Sequence, residues 1–80
     1  MNVEILTLDK KILSTEAKSV IVPGENGKFE MLNNHAPIIS ILNNGKIKVT
    51  DINEKEHFVD ILRGSIEMFN NKITILAETE

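Results

Sequence analysis

Eighty residues with 41% hydrophobic and 26% charged side chains form an ordinary globular composition, too apolar for disorder and long enough for one domain over residues 1–80. The absence of cysteine excludes disulfides and thiolate metal sites, and no apolar run approaches the ~18 residues of a membrane span. A net charge of −3, with Phe as the only aromatic type, argues against a phosphate-binding surface or a base-stacking platform; neither nucleic-acid binding nor direct membrane insertion is expected.

The apolar segments are short, rich in Ile and Val, and separated by turn residues at intervals of roughly eight to twelve, the spacing of a sandwich or barrel. Val3 to Leu8 reads as a first strand, and Asp9-Lys10-Lys11 as a charged turn. Ile12-Leu13 reads as a brief second strand, and Ala17 to Val22 as a third that Pro23-Gly24 ends. Thr15 to Lys18 carries a weak helix-start signal that is too short to propagate before Val20-Ile21-Val22. Asn26-Gly27 is expected to form a type I′ hairpin turn, since both residues tolerate positive φ. Lys28 to Met31 alternates, placing Phe29 and Met31 on one face.

Asn33 to Pro37 is irregular, because Pro37 lacks an N–H and biases Ala36 away from helix. Ile38 to Leu42 is a more continuous apolar run and is expected to be well buried. Asn43-Asn44-Gly45 marks a turn before Lys46 to Thr50, the cleanest alternation in the chain, with Ile47 and Val49 inward. Asp51 to Lys55 is a polar turn, Glu56 to Leu62 a strand, and Arg63-Gly64 a break. Ser65 to Phe69 and Lys72 to Ala77 are two further strands, joined by Asn70-Asn71 as a two-residue loop. The expected fold is all-β: about eight to ten short, mainly antiparallel strands in two packed layers, which hides the apolar face a single open sheet would expose.

Catalytic signatures are weak. None of Ser14, Ser19, Ser40 and Ser65 lies in a nucleophile-elbow setting, and His35 and His57 show no metal-ligand spacing. Gly24 to Gly27 lacks the Lys-Ser/Thr ending and the following helix of a phosphate loop, so a hairpin turn is the better reading. Glu54 and Glu56 would share a face of an extended segment, a pattern more common at a solvated strand edge than in a carboxylate pair. No catalytic residue, cofactor site or metal site is assigned. His35 either bonds a nearby backbone group and fixes its loop or contacts a partner.

The stretch Val22 to Pro37, reading VPGENGKFEMLNNHAP, resembles the signature region of the epsilon subunits of F-type ATP synthases: a Gly-x-x-Gly turn, a short strand, then His-Ala-Pro and an aliphatic pair, here Ile38-Ile39. Gly45 before an alternating strand, Gly64 and Glu67 within Phe58 to Met68, and Leu76-Ala77-Glu78-Thr79 agree in order, so the resemblance covers Val3 to Thr79. Two departures stand out. Arg63-Gly64 replaces the usual glycine pair, and Lys28 stands where many members have an acidic or other polar residue.

The resemblance implies a flattened β-sandwich of about ten strands. It further implies a non-catalytic rotor subunit at the foot of the central stalk, coupling the gamma subunit to the membrane c-ring of a proton-translocating synthase. Such a subunit would be peripheral, on the cytoplasmic side of a bacterial plasma membrane. A start at Met1 without a basic, apolar leader fits that expectation. The family's C-terminal helical pair would begin where the sequence stops at Glu80, so neither helix-mediated inhibition nor ATP binding is expected. By analogy, Glu25, Asn26, Gly27, Lys28 and Phe29, with Leu32, Asn33, Asn34, His35 and Ala36, are candidates for the ring-facing end. Ile38, Ile41, Leu42 and Met68 are candidates for the gamma-facing side, each with core as the competing reading. The alternatives are a generic β-sandwich adaptor, or a small enzyme built from His35, Ser40 and a carboxylate.

Overall fold

A computed structural model describes all of residues 1–80. It contains eight strands and no helix: β1 (Asn2–Leu6), β2 (Lys11–Gly24), β3 (Gly27–Leu32), β4 (Ile38–Leu42), β5 (Gly45–Asp51), β6 (Glu56–Ile61), β7 (Arg63–Phe69) and β8 (Lys72–Glu78). The all-β expectation holds, with eight strands in place of about ten.

The main difference lies in β2. Ile12-Leu13 and Ala17 to Val22 belong to one strand of 14 residues, not two. Its first part pairs with β1 through Lys11↔Leu6 to Glu16↔Asn2, and its second part with β5 and β3. The register shift between Ala17 and Ser19 marks the change of partner. A bulge of this kind sharpens bend and twist, so the strand crosses between layers without ending. The polar run Ser14-Thr15-Glu16, which reads as a break in sequence, stays extended because β1 satisfies its backbone.

The strand order is β1-β8-β7-β4-β2-β5-β6, with β3 on β2 and β1 also on β2. The strands β4, β7, β8 and β1 form one layer. The strands β3, β5 and β6, with the second part of β2, form the other. All pairs are antiparallel except β1 with β8. Each layer turns one face inward. Val3, Ile5, Leu42, Ile66, Met68, Ile73 and Ile75 from the first meet Val20, Val22, Met31, Ile47 and Val49 from the second, all essentially inaccessible. The alternation expected in Lys46 to Thr50 is what buries Ile47 and Val49.

The turns follow residue chemistry closely. Asn70 and Asn71 both have positive φ (50° and 59°), the type I′ signature that fits the twist of a tight hairpin. The β2–β3 hairpin differs from its expectation. Its closing pair is Gly24↔Gly27, so Glu25-Asn26 forms the loop. Asn26 is not among the positive-φ residues, whereas Gly27 has a φ of 120°. The turn is therefore not type I′, and Gly27 uses its freedom as the first residue of β3, closing the loop instead of lying within it. The break before β7 falls at Leu62, and Gly64 lies inside the strand opposite Ala77.

Candidate protein interface

The β2–β3 hairpin holds its tip in solvent. Glu25, Asn26, Gly27 and Lys28 are exposed, while Phe29 is half-buried against the core. The Glu25 N–H donates to the Ile41 carbonyl at 3.0 Å, which fastens the tip to β4. The hairpin Gly24–Phe29 borders one groove with Ile38 and Ser40.

The connection after β3 is fixed by polar side chains, not by packing. Leu32, Asn33, Asn34, His35 and Ala36 are all exposed. Asn34 takes a φ of 62°, and its N–H donates to Asn71 Oδ1 at 2.8 Å. Asn71 Nδ2 in turn donates to Asn33 Oδ1 at 3.2 Å, an atom that also accepts from the Met1 ammonium at 2.8 Å. The β7–β8 turn, the loop and the start of β1 thus form one hydrogen-bonded unit. The His35 N–H donates to the Leu32 carbonyl at 3.1 Å, and His35 Nδ1 lies 2.8 Å from the Ala36 carbonyl. That second bond needs the proton on Nδ1. His35 therefore fixes its loop while its ring stays open to solvent. The Ser40 hydroxyl bonds the Ile41 carbonyl at 3.5 Å, so His35 and Ser40 are not assembled as a nucleophile and base.

Two of the apolar candidates are core. Leu42 and Met68 are each 1% exposed, because they point inward from β4 and β7. Neither can present itself to a partner, and both leave the candidate set. The Ile38–Leu42 run is not buried on both faces as expected. It alternates, with Ile39 80% and Ile41 57% exposed and Ile38 half-buried. The second layer covers only one side of β4.

The cross-strand pairs extend this exposed face. Ile41 lies opposite Ser65, Ser65 opposite Leu76, and Leu76 beside Leu6. Leu76 is 54% exposed, and Leu8 at the β1–β2 turn is fully so. Leu6, Leu8, Ile41 and Leu76 line one groove, and Ile39 and Phe69 with Pro37 line the next. The sequence reading missed Ile39, Leu6, Leu76 and Phe69. The signal was there for Leu76: Ile73 and Ile75 alternate inward, which places Thr74 and Leu76 outward.

The opposite layer shows solvent a different surface. Lys48 pairs with Glu56 at 2.9 Å and Lys46 with Asp60 at 3.9 Å, while the Lys46 ammonium lies 5.6 Å from the Phe58 ring centre. Lys18 also pairs with Glu54, which has a φ of 68° in the β5–β6 turn and so is not on a strand face with Glu56. At this turn Asp51 is nearly buried. Its Oδ1 accepts the N–H groups of Asn53 (2.8 Å) and Lys55 (3.0 Å), and its Oδ2 lies 2.9 Å from His57 Nε2. The hydrogen bond from His57, with the two backbone donors, holds the Asp51 carboxyl below its ordinary value. No group of three or more His, Asp or Glu side chains converges on a point where a metal would sit.

The chain is thus a two-layer β-sandwich with exposed aliphatic side chains on one outer sheet face and two exposed polar connections. The chain belongs to the family described as ATP synthase, Delta/Epsilon chain, beta-sandwich domain, whose model matches residues 1–80. Among curated proteins, an ATP synthase epsilon chain of Polynucleobacter necessarius is 32% identical over 79 residues, covering 99% of this chain and 57% of that protein. The chain spans little more than half the length of the curated relatives it matches. The same fold occurs in a chain of the Euglena gracilis mitochondrial ATP synthase (TM-score 0.87, 18% identity, covering 94% of this chain and 48% of that one). It occurs again in a chain of the Tetrahymena thermophila mitochondrial ATP synthase (TM-score 0.80, 14% identity, covering 98% of this chain and 63% of that one).

Proposed function

We propose that this chain is a non-catalytic part of the central stalk of a proton-translocating F-type ATP synthase, joining the gamma subunit to the membrane c-ring. The observation that carries the reading is the group of exposed apolar side chains, Ile39, Ile41, Phe69 and Leu76, on the outer face of the layer formed by β4, β7, β8 and β1 in a chain of this family. Monomeric proteins seldom leave such a face open, and stable interfaces need an apolar centre. The chains of like fold come from an OSCP/F1/c-ring assembly and a central stalk/c-ring assembly, which supports the same role. In this reading Ile38, Ile39, Ile41 and Leu76 lie toward gamma. The hairpin tip Glu25 to Lys28, with Phe29 beneath it, and the loop Leu32 to Ala36 lie toward the ring. Torque then passes through a body whose stiffness comes from continuous strand pairing. The complex would sit on the cytoplasmic side of a bacterial plasma membrane, a site in keeping with the bacterial source of the similar epsilon chain.

The test is an affinity capture with the tagged chain from gently solubilised membranes of its own organism, with co-purifying proteins identified by mass spectrometry. Recovery of gamma, the catalytic head and the c-ring is the expected result. A preparation lacking all of them, from membranes holding intact synthase, would overturn the proposal.

A further inference from the structure

The apolar outer face carries one charge that the chain itself leaves unanswered. Glu67 stands on β7 between Ile39 on one side and Thr74 on the other, and it is exposed. It lines both grooves that flank Ile39. The other carboxylates around this face are neutralised from within. Glu4, next beyond Thr74, pairs with Lys11 at 2.9 Å and Lys72 at 3.6 Å, and Glu78 pairs with Arg63 at 3.1 Å. Glu67 has no ion pair and no side-chain hydrogen bond.

A carboxylate left bare inside an apolar face constrains what can cover it. An occupant that was wholly apolar would strip water from Glu67 and give nothing back, which opposes binding. A second copy of the chain, docked face to face, would bring two bare carboxylates into one interface. Neutral donors can bond a covered carboxylate, as the backbone N–H groups do for Asp51, but only a cation also balances its charge. We infer that the segment docking here carries a Lys or Arg flanked by apolar side chains, with the cation meeting Glu67 and the apolar groups covering Ile39, Ile41 and Leu76. The inference rests on the reading above that this face binds gamma. It adds the residue that selects the partner: Glu67 admits a basic segment and rejects a neutral or acidic one of the same shape.

The test measures binding of the purified gamma subunit of the same synthase to the full chain at low and high salt. Glu67→Gln, Glu67→Lys and the double variant Ile39→Ser/Ile41→Ser are compared, with circular dichroism confirming an intact fold. Glu67→Gln should weaken binding about tenfold or more and flatten its salt dependence, and Glu67→Lys should weaken it further. The double variant should weaken binding and leave the salt slope unchanged. Loss of binding in the double variant, with wild-type affinity and salt slope in both Glu67 variants, would overturn the ionic inference and leave the docking face standing. Wild-type binding by the double variant would overturn the docking face and the inference with it. Concentration-dependent self-association abolished by Ile39→Ser/Ile41→Ser would assign the face to a second copy and overturn both.

Discussion

Ile41 and Leu42 are adjacent in the chain and opposite in the molecule: one is 57% exposed, the other 1%. Leu42→Ala would leave a cavity between the layers and cost about 2–5 kcal/mol in urea-unfolding measurements. Ile41→Ser should change the stability of the isolated chain far less, by about 1 kcal/mol or less, since that side chain lies outside the core and is more than half exposed. The two variants thus separate core from interface at neighbouring positions. Asp51 makes a different prediction. Its carboxyl is lowered in the folded chain by the His57 hydrogen bond and two backbone N–H donors. A group lowered on folding stabilises fully above its unfolded value and loses that contribution as pH falls through the folded one. Glu4, lowered chiefly by its hydrogen bond and charge pairing with Lys11, acts in the same direction. Melting temperature should therefore fall as pH drops below about 4. Asp51→Asn keeps an acceptor oxygen but not the charge. It should melt lower at neutral pH and show a shallower acid loss than the parent chain. Nothing in the sequence announced this anchor, because the partners of Asp51 meet only once the β5–β6 turn has closed.

Strand existence was legible from Ile/Val-rich runs and turn residues, while strand continuity was not. The polar run Ser14 to Glu16 breaks the local pattern, and only its pairing with β1 keeps β2 extended through it. Exposure of Ile39 was hidden for a related reason: a run of apolar residues does not reveal that a second layer covers only one side. The Asn70-Asn71 loop was readable because its demand for two positive φ values is local. Its second role was not readable, since Asn71 reaches the Asn33-Asn34 loop through side-chain bonds. Asn71→Gly separates the two roles. Glycine keeps the backbone conformation and removes the bonds, so the Asn34 amide should exchange with solvent at least several-fold faster in hydrogen-exchange NMR. The β7–β8 turn should remain formed. Asn71→Ala should also strain the turn, by about 1 kcal/mol or more. Gly64 tests packing within the same hairpin. A Cβ there would lie 2.5 Å from the Leu76 carbonyl oxygen, a backbone atom that cannot rotate away. Gly64→Ala is expected to destabilise by about 1–3 kcal/mol in chemical denaturation, although alanine suits a strand better than glycine.

At the scale of the whole molecule, a chain of 80 residues buries a modest share of its surface and leaves apolar side chains such as Ile39, Ile41 and Leu76 in water. The family resemblance located the polar connections from the Gly-x-x-Gly and His-Ala-Pro motifs. The apolar side chains on the outer sheet face became visible as neighbours only from the register that brings β1, β4 and the β7–β8 hairpin together. An open face of this kind ties stability to occupancy. A partner that binds only the folded chain raises its stability by the logarithm of partner concentration over Kd, or about 2.7 kcal/mol at a hundredfold excess over Kd. The melting temperature of this chain should therefore climb as purified gamma subunit is titrated in. Ile41→Ser should melt like the parent alone but gain little from added gamma. Leu42→Ala should melt lower alone and still rise on titration, because its defect lies in the core and not in the surface being covered. Equal rises in the parent and Ile41→Ser would mean that gamma stabilises the chain through another surface, with the Glu25 to Lys28 hairpin tip and the Leu32 to Ala36 loop as the next place to look.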